Sequence, residues 1–183
     1  VYSIAASGSG IISLSFDSPT NSYTDYFGIV LYDSGGNIIA SQSTGKDTSF
    51  NAGISSAGTY YAAVYTPSYY HNDGEYGLTV STGASQGNVE TESNNTFSTA
   101  DSLSSGTQIK GQLSSSTDMD VYSIAASGSG VISLSFDSPT NSYTDYFGIV
   151  LYDSGGNIIA SQSTGKDTSF NAGISSAGTY YAA

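Results

Sequence analysis

Residues 11–16 read Ile-Ile-Ser-Leu-Ser-Phe, and this alternation decides the fold class. Successive side chains of a β-strand point to opposite faces, so we expect Ile12, Leu14 and Phe16 to face a core. Ser13 and Ser15 are then expected to face water. No stretch of the chain shows the apolar spacing of an amphipathic helix. The pattern therefore predicts a half-buried strand in an all-β protein.

A turn sequence separates the next two apolar runs. Residues 32–37 read Tyr-Asp-Ser-Gly-Gly-Asn and supply the positive-φ residues that a tight hairpin needs. We expect Ile29 and Leu31 on one strand and Ile38 and Ala40 on its antiparallel neighbour.

Short apolar and aromatic runs bounded by turn residues continue along the chain. The predicted strands are Val1–Ala6, Ile11–Phe16, Tyr26–Tyr32, Asn37–Gln42, Thr48–Asn51, Thr59–Thr66, Tyr76–Ser81, Thr107–Leu113 and Val121–Ala126. About eight such strands per repeat, spaced about ten residues apart, favour an antiparallel β-sandwich of jelly-roll type over a barrel or a propeller.

The chain contains an internal repeat. Val1–Ala63 recurs as Val121–Ala183, an offset of 120 residues, and the only difference is Val131 in place of Ile11. A repeat of this length is the size of one domain, so about one and a half repeats are present. A polar junction over residues 82–105 predicts one domain at 1–87 that lacks its N-terminal strands. The other, at 88–183, then lacks its C-terminal strands.

The charge of the chain excludes one class of partner. Three Lys+Arg residues oppose fifteen Asp+Glu residues, for a net charge of −12, and Arg does not occur. Nucleic-acid binding requires a basic surface and is therefore not expected. The same acidity opposes binding to anionic membranes and favours divalent cations.

Other features of the composition indicate the setting of the protein. Cys is absent, which excludes disulfides and Cys-based zinc sites. The sequence contains no run of about eighteen apolar residues, which is the length that would predict membrane insertion. Sixteen Tyr residues together with abundant Ser, Thr and Gly are typical of secreted repeats, so we expect an extracellular or cell-surface location.

The sequence offers little for catalysis. His71 is the only His, and the chain has no Cys to pair with it, so we expect it in a surface loop. The carboxylates Asp118 and Asp120 could in principle act as a hydrolytic pair, but nothing suggests a deep cleft around them. Gly-rich stretches lack the Lys and the helix of a phosphate-binding loop. We therefore expect a protein that is not an enzyme.

Tyrosines cluster in one part of the repeat. They are Tyr60, Tyr61, Tyr65, Tyr69, Tyr70 and Tyr76. Two interpretations remain open, namely aromatic pairs that stabilise a sheet face and an adhesive surface for a protein or a glycan. The loop Pro67–Gly74 is the expected ligand contact, with Tyr69, Tyr70, His71 and nearby Tyr65.

Five elements in order resemble a known family. They are Glu90-x-Glu92-x-Asn94-Asn95, Ile109-x-Gly111-x-Leu113, Asp118-x-Asp120-x-Tyr122, Leu151-Tyr152-Asp153-x-x-Gly156 and Ala177-Gly178-Thr179-Tyr180-Tyr181. This order resembles the bacterial pre-peptidase C-terminal domain, which includes the collagen-binding domains of clostridial collagenases, here in tandem as in bacterial surface adhesins. The resemblance implies a β-sandwich, stabilised by calcium, that serves for binding or spacing.

The resemblance also implies a calcium site, because collagen-binding relatives hold calcium with an acidic linker and a later Asp pair. The matching residues here are Glu90, Glu92, Asn94, Asn95, Asp118 and Asp120. Calcium takes about six to eight oxygen ligands, and these side chains supply oxygen. The alternative is an acidic linker whose carboxylates are simply solvated.

Two functions follow as expectations. The first is a structural or adhesive tandem repeat of an extracellular adhesin, stalk or filament, stiffened by calcium at interdomain linkers, with neighbouring repeats or subunits completing its partial domains. The alternative is a discrete module that binds a collagen-like protein or a polysaccharide and is attached to a secreted enzyme. A host protein, matrix protein or glycan would be the partner in either case.

Overall fold

The structure is a computed structural model that describes residues 1–67, 69–84 and 88–183. These residues form fifteen β-strands, and none of the described residues lies in a helix. The predicted all-β class is confirmed. Among the same residues no helix is long and apolar enough to cross a membrane.

The chain divides into two compact units. The first comprises Val1–Ser93 with Ile109–Asp118, and the second comprises Asn94–Gln108 with Met119–Ala183. Segment Ile109–Asp118 thus belongs to the first unit, although the chain on both sides of it belongs to the second. The predicted boundary near residue 88 stays a sequence prediction.

Two four-stranded sheets form the first unit. Its strands are β1 Tyr2–Ala6, β2 Gly10–Asp17, β3 Ser22–Tyr32, β4 Ile38–Gly45, β5 Thr48–Ile54, β6 Gly58–Tyr65, β7 Gly77–Gly83 and β8 Thr91–Glu92. One sheet has the order β1-β6-β3-β4 and the other the order β7-β2-β5-β8. Buried side chains from both sheets form one cluster, so the unit is a β-sandwich.

The second unit has a larger and a smaller sheet. Its strands are β9 Asp101–Ser102, β10 Tyr122–Ala126, β11 Gly130–Phe136, β12 Phe147–Tyr152, β13 Ile158–Thr164, β14 Thr168–Ile174 and β15 Gly178–Ala182. One sheet has the order β13-β12-β15-β10-β9, and the other contains β11 and β14. Ile132, Leu151, Ala172 and Tyr180 form the buried cluster between them.

The alternation that predicted the fold class is present in β2. Ile12, Leu14 and Phe16 are buried, Ser15 is exposed and Ser13 is half-buried. Burying each large apolar side chain stabilises the fold by about 1.5–3 kcal/mol. The strand therefore supplies three anchors to the sandwich core.

The predicted hairpin is also confirmed, since Leu31 faces Ala40 across β3 and β4. Gly36 takes a φ of 85° in the turn, which is the region that favours glycine. The Asp33 carboxylate accepts hydrogen bonds from the backbone N–H of Gly35 and Asn37 and from Asn37 Nδ2, at 2.7–2.8 Å. Partial burial alone would raise the pKa of Asp33, but these hydrogen bonds outweigh it and lower the pKa.

Two expectations about strands are corrected. Thr107–Leu113 is not a strand, because within it only Lys110 forms a bridge, a parallel one with Val89. The sheets are also not wholly antiparallel, since β8 pairs parallel with β5 and β9 parallel with β10. Residues 103–121 connect β9 to β10, and a connection of that length permits a parallel crossover.

Candidate functional site

The first unit contains two of the predicted calcium ligands side by side. Carboxylate oxygens of Glu90 and Glu92 lie within 4.8 Å of each other. Glu90 is buried, and its backbone N–H donates to the carbonyl of Lys110 at 2.9 Å. Glu90 directly precedes β8, in which Thr91 lies opposite Gly53. Because Gly53 has no side chain, the backbone carbonyl of Glu90 can approach it closely.

The segment Ile109–Asp118 supports this part of the first unit. The backbone N–H of Gln112 donates to the Glu90 carboxylate. The Gln112 side chain accepts from Ser41 N at 3.1 Å and donates to Ser41 O at 2.5 Å, so it pairs with the edge of β4. Asp118 accepts from the backbone N–H of Ser114 at 2.6 Å and thus closes a local turn. The structure therefore gives Asp118 a turn-closing role that the sequence did not predict.

The second unit holds the other predicted ligands. Asn94 is 0% exposed, and its backbone carbonyl accepts from Val121 N–H at 3.2 Å, which brings it beside Asp120 in the chain fold. Asn94 Nδ2 donates to Asp101 Oδ2 at a long 3.5 Å. Asn94 Oδ1 and Asn95 Oδ1 are buried and accept no hydrogen bond from the described residues, and Asp120 Oδ1 is buried as well.

These buried oxygens fit a cation. A buried carbonyl oxygen that accepts nothing costs about 1–3 kcal/mol, and a bound cation would remove that cost. The side chains of Asn94, Asn95, Asp101 and Asp120 offer oxygen to a ligand and no sulfur or imidazole nitrogen, which suits a hard cation such as Ca²⁺. Sequence reasoning missed Asp101, because its position depends on the parallel pairing of β9 with β10.

The tyrosine cluster divides into structural and exposed members. Tyr60 is buried and its hydroxyl donates to Ser56 O at 3.0 Å, whereas Tyr76 lies against Phe16, with ring centroids 5.4 Å apart. Tyr65 lies on β6 and its ring covers Gly28. These contacts match the first interpretation, in which aromatic side chains stabilise sheet faces.

The predicted ligand-contact loop is strongly exposed. Tyr69 is 95% exposed, and its ring meets that of Tyr70 edge-on at 6.0 Å. His71 Nε2 lies 3.4 Å from Asp73 Oδ1, with side chains 69% and 93% exposed. Ser68 in this loop lies outside the described residues. The loop thus places aromatic and polar groups in solvent.

Each copy of the repeat also has an exposed tyrosine that the sequence did not indicate. Lys46 Nζ lies 3.4 Å from the ring centroid of Tyr23, and Lys166 Nζ lies 4.0 Å from that of Tyr143. Two of the three Lys residues are therefore engaged in cation–π contacts. Ser22 pairs with Gly45 across β3 and β4, which places the neighbouring residues Tyr23 and Lys46 close together. Sequence reasoning did not identify this register and therefore missed the contact.

Comparison with protein-family models gave no match, and comparison with curated proteins gave no significant match either. The resemblance to pre-peptidase C-terminal domains thus rests on the order of the motifs alone.

Proposed function

We propose that this protein is a structural and adhesive tandem repeat of an extracellular adhesin, stalk or filament. The observation that carries the proposal is a comparison of its two nearly identical copies, residues 1–63 (the first copy) and 121–183 (the second copy). Tyr2 pairs with Ala62 and Tyr122 with Ala182, and the β2–β5 and β11–β14 registers are also the same after a shift of 120 residues. The same strand pairing therefore forms in both copies of the repeat.

Within the described part of the chain, different flanking strands pair with the two copies. In the first copy β2 pairs with β7, and β5 pairs with β8. The second copy has β9 beside β10 instead. Val121 in the second copy is 0% exposed. In the proposed array, neighbouring repeats or subunits complete the partial domains by pairing with their edge strands.

A spacer function explains why a sequence is kept nearly unchanged in consecutive copies, because each added repeat extends the array. Proteins of two, four and eight repeats test this directly by small-angle scattering and electron microscopy. We expect the contour length to grow by a constant amount per repeat and the melting temperature to rise and then level off. Repeats that collapse on one another, with no gain in length, would contradict the proposal.

We propose that calcium binds these oxygen donors, with Glu90 and Glu92 as ligands in the first unit and Asn94, Asn95, Asp101 and Asp120 as ligands in the second unit. The buried and unsatisfied Asn94 Oδ1 supports this, as does the resemblance to calcium-binding relatives. Bound calcium would supply positive charge to carboxylates in a chain that has no Arg. Asp118 contributes less directly in this proposal, since its carboxylate closes a turn with Ser114.

Thermal unfolding with calcium and with a chelator tests the calcium proposal. Stabilisation of about 2.7 kcal/mol is expected at free calcium one hundred times Kd. Asp120→Asn should reduce this gain, and Asp73→Asn, in the exposed loop, is the matched control that should keep it. Identical melting curves with calcium and with chelator in the parent protein would rule out the site.

The exposure of Tyr69 and Tyr70 favours a second candidate function, a discrete module that binds a collagen-like protein or a polysaccharide. Binding by a single isolated repeat on collagen or glycan arrays would support it. Binding that appears only in multi-repeat proteins would instead indicate avidity of an adhesive array.

We propose no catalytic role for the described residues. The pair His71 and Asp73 lies in solvent, where water screens the interaction between the two side chains. A catalytic base is usually oriented by a third group and sheltered from water.

A further inference from the structure

Each copy of the repeat presents one tyrosine almost entirely to solvent. Tyr23 is 93% exposed in the first copy, and its counterpart Tyr143 is 95% exposed in the second. Lys46 Nζ lies over the ring of Tyr23 and Lys166 Nζ over that of Tyr143, at 3.4 and 4.0 Å from the ring centroids. The same exposed pair therefore forms twice, once in each unit.

The turn that carries the lysine is closed by the same hydrogen bonds in both copies. Thr44 Oγ1 donates to the backbone carbonyl of Lys46 and accepts from its backbone N–H, both at 3.0 Å. Thr164 Oγ1 makes the same two hydrogen bonds with Lys166, at 2.7 and 3.1 Å. The position of the ammonium over the ring thus starts from a fixed backbone.

The tyrosine loop, residues 20–24 and 140–144, is held against this turn. Thr20 Oγ1 donates to the backbone carbonyl of Gly45 at 2.6 Å, and Thr140 Oγ1 donates to that of Gly165 at 2.7 Å. A Cβ added to either glycine would collide with backbone carbonyls of the tyrosine loop. Because the backbone on both sides is fixed, a ligand that binds the ring has little of the protein left to order.

One face of the tyrosine ring is open. The ammonium of Lys46 covers the other face, yet Tyr23 as a whole stays 93% exposed. Its chain neighbours Ser22 and Thr24 are polar and half-buried, so the ring is an isolated apolar surface in this loop. A stable protein interface buries about 800 Å² on each side, far more than one ring offers. The surface suits a ligand unit of about the size of one sugar ring.

Charge decides which kind of ligand suits this surface. Among the described residues neither ammonium forms an ion pair with a carboxylate, although the chain has fifteen acidic residues. Each ammonium can therefore donate hydrogen bonds to a ligand at the ring. The net charge of −12 repels a polyanion, and Lys46 already occupies the position that a cationic ligand would take on the ring. These charges favour a neutral ligand that is rich in hydroxyl groups.

We propose that Tyr23 and Tyr143 each bind a sugar ring of a neutral polysaccharide, with the adjacent lysine donating to sugar hydroxyls. The C–H groups on one side of a pyranose carry partial positive charge and stack on the negative face of an aromatic ring. One such site per repeat matches a polymer of repeating sugars, because many weak contacts then act together. This inference rests on the proposed adhesive function and names the surface and the class of ligand.

Depletion of the whole chain from solution by insoluble cellulose, chitin and cross-linked dextran tests the proposal. We expect binding to at least one of the three, with an affinity that changes little as salt is raised, because the ligand is neutral. Tyr23→Ala or Tyr143→Ala alone should weaken binding about tenfold, and the two together should abolish it. Replacing both tyrosines by Phe should retain binding, since the sugar contacts the ring.

Two further variants separate binding from folding. Ile38→Ala with Ile158→Ala removes an exposed apolar side chain from each copy and should leave binding unchanged. Lys46→Met with Lys166→Met retains an alkyl chain near each ring and should weaken binding, because the hydrogen bonds from the ammonium are lost. Circular dichroism checks that every variant keeps its fold, which we expect because the replaced side chains are exposed or lie in turns.

Absence of binding to all three polysaccharides, or full binding by a folded protein that lacks both tyrosines, would overturn the sugar-binding proposal. Loss of binding in the Phe protein or unchanged binding in the Met protein would overturn it as well. These outcomes leave the spacer function standing, which is decided separately by the contour lengths of multi-repeat proteins. If instead those lengths fail to grow while binding depends on both tyrosines, the sugar site holds and the spacer function is wrong.

Discussion

Replacing Gly53 by Ala and, separately, its counterpart Gly173 by Ala is expected to shift stability in opposite directions. A Cβ at Gly53 would collide with the backbone carbonyl of Glu90, which cannot rotate away as a flexible side chain could. A Cβ at Gly173 meets nothing within 4 Å. The two substitutions are chemically the same and differ only in their surroundings.

The magnitudes follow from two opposing effects. Alanine in a strand is favoured over glycine by about 0.5–1 kcal/mol, because glycine loses more freedom on folding. Gly173→Ala should therefore stabilise the second unit by about that amount. Overpacking costs about 1–3 kcal/mol, so after subtraction of this gain Gly53→Ala should destabilise the first unit by up to about 2.5 kcal/mol. Displacement of β8, whose Thr91 faces Gly53, is the structural cause.

Urea unfolding followed by far-ultraviolet circular dichroism measures both effects. Unchanged m-values would show that the shifts in midpoint report stability. The double variant should show the sum of the two effects, because the residues lie in different units. Shifts of the same sign and size for both variants would refute the reasoning, since they would mean that the surroundings of the two glycines are alike.

Three further predictions concern single positions. Val121 is fully buried, so Val121→Ala should cost about 2 kcal/mol in the free energy of unfolding, and an unchanged midpoint in chemical denaturation would contradict this. Replacing Tyr69 and Tyr70 by Ser should weaken adhesion to collagen-coated or polysaccharide-coated surfaces and leave the melting temperature within a few degrees, and a large loss of stability would show that they are core residues. Asp33 has a lowered pKa, so its stabilising effect is complete above the unfolded-state pKa of about 3.9 and is lost as the pH falls through the folded-state value. Asp33→Asn should therefore flatten the acid side of a stability–pH curve, and an unchanged acid side would contradict this.

Local sequence was sufficient for the elements whose contacts are local. The alternation of Ile12, Leu14 and Phe16 predicted the buried face of β2, and the turn between Asp33 and Asn37 predicted a hairpin that its own hydrogen bonds complete. Both predictions depend on residues a few positions apart. They hold because the period of a strand and the geometry of a turn are set within one element.

Other features depend on distant parts of the chain. Strand β3 has 11 residues and its counterpart β12 has 6, although the sequences are identical. No method that uses local sequence alone could assign them different lengths. At the start of β3 Ser22 pairs with Gly45, whereas β12 begins only at Phe147.

The candidate site shows the same limit. Sequence reasoning named Glu90 and Asn94, whose burial fits a ligand role, because acidic and amide side chains cluster there in sequence. It could not find Asp101 or Gln112, since their positions depend on a parallel strand pair and on the edge of β4. It also predicted a strand over Thr107–Leu113, where the side chain of Gln112 pairs with a strand edge instead.

Strand β7 pairs with the edge of β2, and the edge of β11 has the same sequence apart from Val131 in place of Ile11, which has a consequence for how the protein acquires its structure. During synthesis on the ribosome, residues 77–83 emerge before residues 130–136 exist, so β7 meets only β2. Refolding from denaturant presents both edges at the same moment, and β7 can then close on the wrong one. The order of synthesis thus selects between pairings that the repeat itself does not distinguish, and chains refolded in the test tube would contain mispaired species that newly made chains avoid.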